Sequence, residues 1–273
     1  MLLAEFQLMQ VMFLGAQVKD IQMLLLVDVG NTMVKWALAE PTTGTPGNWC
    51  ETGTFAHKDI EHLREVLRGK TLTRAILSNV ASKAMRERLH HLLRSLRPAP
   101  VGVEWFTSAP ELAGIRNSYR NPAQLGCDRF AAMIGAHSLF PDRALVVANC
   151  GTATTVDALT ADGLFIGGMI LPGLGLMASS LARNTAHLPQ VAQDSLSFNP
   201  FALNTTDAIM SGCIAAQTGA IEHAVALLEK RSDSVKCVLS GGSAASLAPH
   251  LSIHHQIVDN LVLVGLHTVS MNP

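Results

Sequence analysis

The chain has 273 residues, a formal net charge of −1 and 48% hydrophobic residues. This length and hydrophobic content support one large domain or two small ones and exclude an intrinsically disordered chain. The near-neutral charge provides no basic surface of the kind that binds nucleic acid. The five cysteines are scattered without a C-x-x-C pair, which favours free thiols in a reducing compartment, the cytoplasm, over a zinc site.

The first 22 residues look detached from the rest of the chain. They are apolar, but Glu5 lies near the start, and Lys19 and Asp20 follow the apolar part instead of preceding it. This order of charges does not fit a secretory signal peptide. We interpret residues 1–22 as an extension upstream of a natural start at Met23; a helix that packs on the core is the alternative.

Leu24–Trp36 predicts a β-hairpin with polar residues at its tip. An apolar run leads into Asp28, the turn follows at Gly30-Asn31, and a second β-prone run carries Lys35. A glycine lets the backbone approach a phosphate, and the N–H groups of a tight turn attract anions. An Asp at a strand end can hold Mg²⁺, and a Lys can neutralise phosphate. An ordinary hairpin turn explains the same residues.

A second stretch, Val146–Asp157, repeats the pattern, with Gly151 and Thr152 at its turn. Two such hairpins predict two related halves, each presenting a phosphate-binding turn to one nucleotide. This arrangement resembles the actin-like ATPase superfamily, which includes sugar and acetate kinases. The resemblance implies an α/β fold of two similar actin-like (ribonuclease H-like) domains with a nucleotide cleft between them. We assign residues 23–140 to the N-terminal domain and residues 141–273 to the C-terminal domain.

The segment between the hairpins predicts further strands and helices in the alternating order of an α/β protein. The arginines of its second helix fit a solvated helix face better than a nucleic-acid site. The expected elements are a strand at Cys50–Phe55, a helix at Asp59–Leu67, a strand at Arg74–Val80, a helix at Ser82–Arg97 and a strand at Val101–Thr107.

Asn117–His137 is the second stretch whose residues suggest chemistry. It contains Tyr119, the only tyrosine of the chain, and Gly126-Cys127-Asp128-Arg129 opens a helix rich in Ala, Met and Ile. An Asp beside an Arg at a helix start also fits plain helix-dipole complementarity and a surface ion pair.

Farther on, the stretch between Asp162 and Arg183 carries no charge and is long enough to raise the question of a membrane span. Its glycines and Pro172 favour instead a strand, a glycine-rich loop and a short helix. We expect no membrane segment. A long helix at Thr206–Lys230 and a buried strand at Lys236–Ser243 with a Ser-Gly-Gly turn follow.

Three motifs in this order resemble the type III pantothenate kinases, also called the Bvg accessory factor family. They are D-x-G-N-T at Asp28–Thr32 with Lys35, Y-x-N-P-x-x-L-G-x-D-R at Tyr119–Arg129, and G-T-A-T-T at Gly151–Thr155. The match covers nearly all of Met23–Leu266. It implies ATP-dependent phosphorylation of the primary hydroxyl of pantothenate to 4'-phosphopantothenate, the first step of coenzyme A biosynthesis.

The resemblance also implies roles for individual residues. Asp128 is the expected general base, Arg129 holds the pantothenate carboxylate, and Thr205 reaches that carboxylate near the boundary of a homodimer. Asp28 is expected to bind Mg²⁺, and Thr152 is expected to bind phosphate. The full expected substrate-binding set is Tyr119, Gly126, Cys127, Asp128, Arg129 and Thr205; the expected ATP-binding set is Asp28, Val29, Gly30, Asn31, Thr32, Met33, Val34, Lys35 and Thr152.

One position departs from the family pattern. The family usually has an Asp two residues before the Gly-Thr pair, where it helps hold a monovalent cation such as K⁺ or NH₄⁺. This chain has Asn149 there, which keeps a carbonyl acceptor but loses the charge. We therefore expect weak or absent K⁺ activation, unless Asp157 or a carboxylate of a partner subunit compensates.

Three other functions remain open from the sequence. They are a kinase of another small alcohol, a catalytically silent nucleotide-binding regulator, and a filament-forming actin relative. The joint presence of Asp28, Lys35, Asp128 and Arg129 favours an enzyme over the regulator.

Overall fold

The computed structural model describes residues 22–41, 45–96, 101–191 and 198–271. The interpretation of residues 1–22 as an extension falls almost entirely outside this range; Gln22 opens the first strand. The fold contains two β-sheets with helices, which confirms the predicted α/β class. The first sheet consists of β1 Gln22–Val29, β2 Met33–Ala39, β3 Glu51–Ala56, β4 Thr71–Asn79 and β5 Gly102–Trp105, in the order β3-β2-β1-β4-β5.

The second sheet is larger and follows the order β12-β11-β8-β9-β10-β7-β6. Its strands are β6 Glu111–Leu112, β7 Ile115–Asn117, β8 Ala144–Cys150, β9 Ala153–Leu159, β10 Leu164–Pro172, β11 Val235–Ser240 and β12 His255–Ile257. The α-helices are α1 Leu63–Val66, α2 Lys83–Arg94, α3 Cys127–Leu139, α4 Leu174–Asn184, α5 Thr205–Glu229, α6 Ala244–Leu247 and α7 Leu261–Met271.

The two sheets repeat one topology. In the first, β1, β2 and β3 form an antiparallel meander, and β4 and β5 join β1 in parallel. In the second, β8, β9 and β10 form the equivalent meander, and β11 and β12 join β8 in parallel. The short strands β6 and β7 extend the second sheet beyond β10. The second sheet thus includes residues that precede residue 140, and the exact domain division stays a prediction.

The central strands β1 and β8 are buried along nearly their whole length. Parallel neighbours and covering helices leave such strands little contact with water, which explains their uninterrupted apolar runs. In each strand one polar residue near the end is half-buried, Asp28 in β1 and Asn149 in β8. The two sheets therefore place these side chains at equivalent positions, one residue before the end of each central strand.

Helices α3 and α7 pack together between the two sheets and belong to one hydrophobic core with residues of both. Their backbones touch at glycines: a β-carbon on Gly265 would lie 1.8 Å from the carbonyl oxygen of Ala131, and one on Gly135 would lie 2.5 Å from that of Leu261. Only glycine permits such an approach. This contact fixes where α3 begins, and α3 begins at the candidate site.

Several predicted elements are confirmed with adjusted ends. Ser82 caps α2, its Oγ accepting a hydrogen bond from the backbone N–H of Met85 at 3.3 Å, as the helix pattern suggests. Arg97, the predicted helix end, lies outside the described residues. The predicted helix at 59–67 is instead a 3₁₀-helix, His57–His62, followed by the single turn α1. The uncharged stretch forms β10 and α4, and none of the helices in the described part of the chain is long and apolar enough to cross a membrane.

Candidate active site

The tips of the two predicted hairpins meet across a cleft. Thr32 Oγ1 and Thr152 Oγ1 lie 2.8 Å apart, within hydrogen-bond distance. Each turn is closed by a glycine N–H, from Gly30 to the Met33 carbonyl and from Gly151 to the Ala153 carbonyl, both at 3.1 Å. The cleft has a volume of about 500 Å³, a size typical of small-molecule sites. Its lining combines both turns with Asp28, Lys35, Asp128, Asn149, Thr155, Val80, Gly175, Leu176, Gly241, Gly242 and Ser243.

The N-terminus of α4 forms one wall of the cleft. Gly173 precedes this helix, and its N–H donates to the Thr152 carbonyl at 2.9 Å. A β-carbon on Gly173 would lie 2.1 Å from the carbonyl oxygen of Gly151, so only glycine allows the helix to start this close to the second turn. The free N–H groups and dipole of a helix N-terminus attract anions such as phosphate. Gly175 and Leu176 were not among the predicted site residues, although a proline-glycine pair before a helix is the sequence signal that marks them.

The Ser-Gly-Gly turn after β11 forms another wall. Gly241 has a φ of 94° and packs on the second hairpin, since its β-carbon would lie 2.5 Å from the Cys150 carbonyl oxygen. The N–H of Ser243 donates to that same oxygen at 2.9 Å. The sequence marked this turn, and the structure brings it into the cleft.

Asp28 and Asn149 occupy equivalent positions in the two sheets. Asp28 lies opposite Lys35 on β2 and beside Ser78 on β4. Asn149 lies opposite Thr155 on β9 and beside Ser240 on β11. The repeat therefore places a carboxylate–ammonium pair on one side of the cleft and a neutral amide–hydroxyl pair on the other.

The carboxyl of Asp28 is more buried than a hairpin tip suggests. Burial, with the nearby charge of Asp128, raises its pKa from 3.8 to about 7, against the lowering effects of Lys35 and of a hydrogen bond from Ser78. Its Oδ1 is buried and, among the described residues, has no hydrogen-bond partner. A buried carboxylate oxygen without a partner is costly, and a bound cation would satisfy it.

Asp128 lies in the first turn of α3 and faces the same cleft. Burial raises the pKa of its carboxyl, while the backbone N–H of Arg129, which donates to Oδ1 at 2.8 Å, and the guanidinium charge of Arg129 lower it. Gly126 leaves room for this carboxylate, because a β-carbon there would lie 2.7 Å from Oδ1. A carboxylate with a raised pKa, open to a cleft, has the properties of a general base.

Arg129 points away from the cleft into a buried ion pair. Its Nε and Nη2 donate to Asp157 Oδ2 and Oδ1 at 3.1 and 2.5 Å, and its Nη1 donates to the Tyr119 hydroxyl at 3.0 Å. Arg129 is 5% exposed and Asp157 2%. Burial acts to lower the pKa of the guanidinium, but the bonds and charge of Asp157 hold it above its usual value. Asp157 occupies the Nε–Nη2 edge of the guanidinium, so this edge is not open to a substrate. The contact of Arg129 with a substrate carboxylate stays a prediction.

The other predicted residues divide into four groups. Gly30, Asn31, Thr32, Met33, Lys35 and Thr152 line the cleft with Asp28 and Asp128. Val29 and Val34 are fully buried in the first core, so only their backbones can face a ligand. Cys127 is half-buried, with its Sγ 3.4 Å from Ser78 Oγ. Thr205 is exposed at the start of α5, where it lines a separate apolar groove.

We predict that Asp28→Asn raises the free energy of unfolding. The folded-state pKa of about 7 exceeds the ordinary 3.8, so the folded chain binds the proton more tightly and loses stability as pH rises between those values. Removing this ionisation should stabilise the protein by about 1–3 kcal/mol above neutral pH and by less at about pH 5. Urea unfolding at both pH values, without nucleotide, measures the difference.

Asp142→Asn is the matched control, because Asp142 is exposed and its φ of 59° suits Asn equally well. A lower stability of Asp28→Asn at high pH would show that the charged carboxylate holds the fold together.

Comparison with known proteins identifies the family to which this chain is similar. The type III pantothenate kinase family model matches residues 24–227. A type III pantothenate kinase of Janthinobacterium sp. (strain Marseille) is 58% identical, covering 91% of this chain and 98% of its own. One from Herminiimonas arsenicoxydans is 54% identical over 92% of this chain and 98% of its own.

Solved structures show the same fold at low sequence identity. A Campylobacter jejuni structure assigned to the Baf family of transcriptional activators has a TM-score of 0.53 at 19% identity, covering 90% of this chain and 96% of its own. A Sinorhizobium meliloti structure assigned as a 2-dehydro-3-deoxygalactonokinase has a TM-score of 0.53 at 13% identity, with 90% and 96% coverage. These likenesses and the two repeated sheets establish the actin-like fold. By its sequence match along most of its length, the chain belongs to the type III pantothenate kinase family.

Proposed function

We propose that this chain transfers the γ-phosphoryl group of ATP to the primary hydroxyl of pantothenate, forming 4'-phosphopantothenate for coenzyme A synthesis. The observation that carries the proposal is the placement of Asp128 in one cleft with two glycine-threonine turns, within the family's own motif. The hydroxyl oxygen forms a bond to the γ-phosphorus as the bond to the bridging oxygen of ADP breaks. Asp128 accepts the hydroxyl proton.

The remaining residues of the cleft hold the phosphates. N–H groups of both turns and of the α4 N-terminus point their positive ends toward anions. Lys35 adds a full positive charge, and Thr152 adds a hydroxyl. Phosphoryl transfer depends chiefly on such positioning and charge compensation, so a weak base suffices. The unpaired cysteines fit our expectation of a cytoplasmic enzyme.

Asp28 fits a role in holding Mg²⁺. Its Oδ1 is buried and lacks a partner within the described chain, and carboxylate oxygen is the ligand that Mg²⁺ prefers. When bound, such an ion would neutralise negative charge on the phosphates. Asp28 would hold that ion, and Lys35, directly opposite on β2, offsets part of the negative charge of Asp28 and Asp128.

The residues around Asn149 do not fit a tightly held monovalent cation. Asn149, Thr155 and Ser240 offer neutral oxygens only. Asp157, the carboxylate that could compensate, has both oxygens bound to Arg129. The proposed transfer therefore does not depend on a bound K⁺.

We also infer that two copies of this chain associate through the apolar groove beside Thr205. The groove, about 520 Å³, lies between α4 and the start of α5 and is lined mainly by apolar side chains such as Leu181 and Ile209. Next to it in the chain, Phe201 and Leu203 are 88% and 97% exposed. Large exposed apolar side chains beside an apolar groove are typical of a protein interface. A second copy bound there fits the homodimer expected from the family.

The first prediction tests the base. Asp128→Asn removes the proton acceptor and keeps the shape, so turnover of pantothenate should fall about 10²- to 10⁴-fold. ATP affinity, measured by calorimetry, should stay nearly unchanged because the phosphate-binding groups are intact. Near-normal turnover of the variant would contradict the role of Asp128, and ADP release with sugars, glycerol or acetate instead of pantothenate would favour a kinase of another substrate.

The second prediction concerns Asn149. We expect the unmodified protein to show weak or no activation by K⁺, and Asn149→Asp to gain K⁺ dependence, because a charged oxygen ligand is restored. Turnover is measured across a K⁺ titration at fixed ionic strength, with a bulky organic cation as the replacement salt. Strong saturable activation of the unmodified protein would point to a cation site built from other residues.

The third prediction concerns assembly. Leu203→Glu places a charge on the proposed interface and should shift the protein from dimer to monomer in sedimentation velocity. Ile257→Glu, on the edge strand β12 and 42% exposed, is the control and should leave the dimer intact. A monomeric unmodified protein, or a dimer that Leu203→Glu does not weaken, would contradict this interface.

A further inference from the structure

The Arg129–Asp157 pair joins the first turn of α3 to the middle of β9. Both residues are almost completely buried, and their contact joins the helix between the sheets to the second sheet. A guanidinium edge that meets both oxygens of one carboxylate is the most directional ion pair that proteins form. The side chain of Arg129 is therefore held in one orientation.

Gly168 on β10 shows how tightly this pair is enclosed. A β-carbon at Gly168 would lie 2.1 Å from Asp157 Oδ1 and 2.8 Å from Arg129 Nη2. The Tyr119 hydroxyl accepts from Nη1 on another side of the guanidinium. The pair is thus closely enclosed, and in the described part of the chain the hydrogen bonds of the Nε–Nη2 edge go to Asp157.

Asp128 is the residue immediately before Arg129, and the two side chains start close together. Asp128 Oδ1 and Arg129 Cδ both lie within 4 Å of the point where a β-carbon on Gly126 would be. Rotation of the terminal torsions of Arg129 would bring its guanidinium toward the carboxylate of Asp128. In the structure the carboxyl of Asp128 accepts from the backbone N–H groups of Arg129 and of Asp128 itself, while the guanidinium of Arg129 is directed to Asp157.

We propose that Asp157 is a positioning residue for the transfer reaction, whose carboxylate holds the Arg129 guanidinium away from Asp128 and so leaves the base free for the substrate hydroxyl. This inference rests on the proposed function and adds a residue to it. A buried guanidinium without Asp157 would seek the nearest carboxylate, since an unpaired buried charge is strongly unfavourable. That nearest carboxylate is then Asp128, the proposed base.

The proposal predicts a split between kinetic constants. Asp157→Asn keeps the size of the side chain but removes the charge that holds Arg129. Turnover (kcat) with saturating pantothenate should fall about tenfold or more, because the general base is then engaged by Arg129. The KM for ATP should change less than about threefold, since the phosphate-binding turns are untouched. A purely structural loss would lower stability and weaken ATP binding together.

The decisive comparison removes Arg129 as well. Asp157 acts only through Arg129, so in an Arg129→Gln background the further change Asp157→Asn should alter kcat less than about threefold. An additional loss of about tenfold in that background would overturn the proposal, as would an Asp157→Asn protein with unchanged kcat. In the Arg129→Gln protein the buried Asp157 can be neutralised by a proton, since burial raises its pKa, and the double variant has no buried unpaired charge. This comparison therefore holds even where Asp157→Asn alone does not fold.

The unmodified protein separates this inference from the function on which it rests. If it does not phosphorylate pantothenate, the proposed function is wrong. If it does, and the Arg129→Gln and Arg129→Gln/Asp157→Asn proteins differ by about tenfold or more, only the role of Asp157 is wrong.

Discussion

The contact between α3 and α7 is the constraint on which the site depends. Gly135 and Gly265 let the two helix backbones touch, and the pair lies between the sheets as a shared core. A methyl group at either glycine would push α3 outward by more than a small side-chain adjustment could absorb. Because Asp128 is in the first turn of α3, the distance between the base and the two phosphate turns is set by this crossing and not by a loop.

The site contains more carboxylates than the neighbouring positive charges compensate. Three carboxylates, Asp28, Asp128 and Asp157, have pKa values raised by burial. Only Asp157 has a complete counter-ion, and breaking a buried pair of that kind typically costs about 3–5 kcal/mol. The folded chain therefore stabilises one acid fully and leaves two in the cleft incompletely compensated. Acids with perturbed pKa values are typical of functional sites, where a bound ligand supplies the compensating charge or hydrogen bond.

The sequence predicted the parts of the fold that depend on short, continuous stretches of residues. The apolar runs and the Gly-Asn and Gly-Thr turns indicated both hairpins, and the order of the motifs led to Asp28, Asp128 and Thr152. It could not predict Asp157 as the partner of Arg129. Asp157 lies in the mostly buried strand β9, and only the strand order brings it beside α3. The wall formed by α4 was missed for the same reason, since close packing of Gly173 on Gly151 is a fact of three dimensions.

The repeated topology gives the cleft two similar sides, and these sides differ in charge. Equivalent strands present Asp28 on one side and Asn149 on the other, opposite Lys35 and Thr155. With an amide on the second side, the carboxylates that line the cleft in the described part of the chain are Asp28 and Asp128, and the charge of Asp128 raises the pKa of Asp28. In the proposed reaction, Asp28 would hold the metal and Asp128 would act as the base at the same end of the cleft, where the reacting phosphate would bind. The turn at Gly151–Thr152 then serves to hold the phosphate chain rather than to take part in proton transfer.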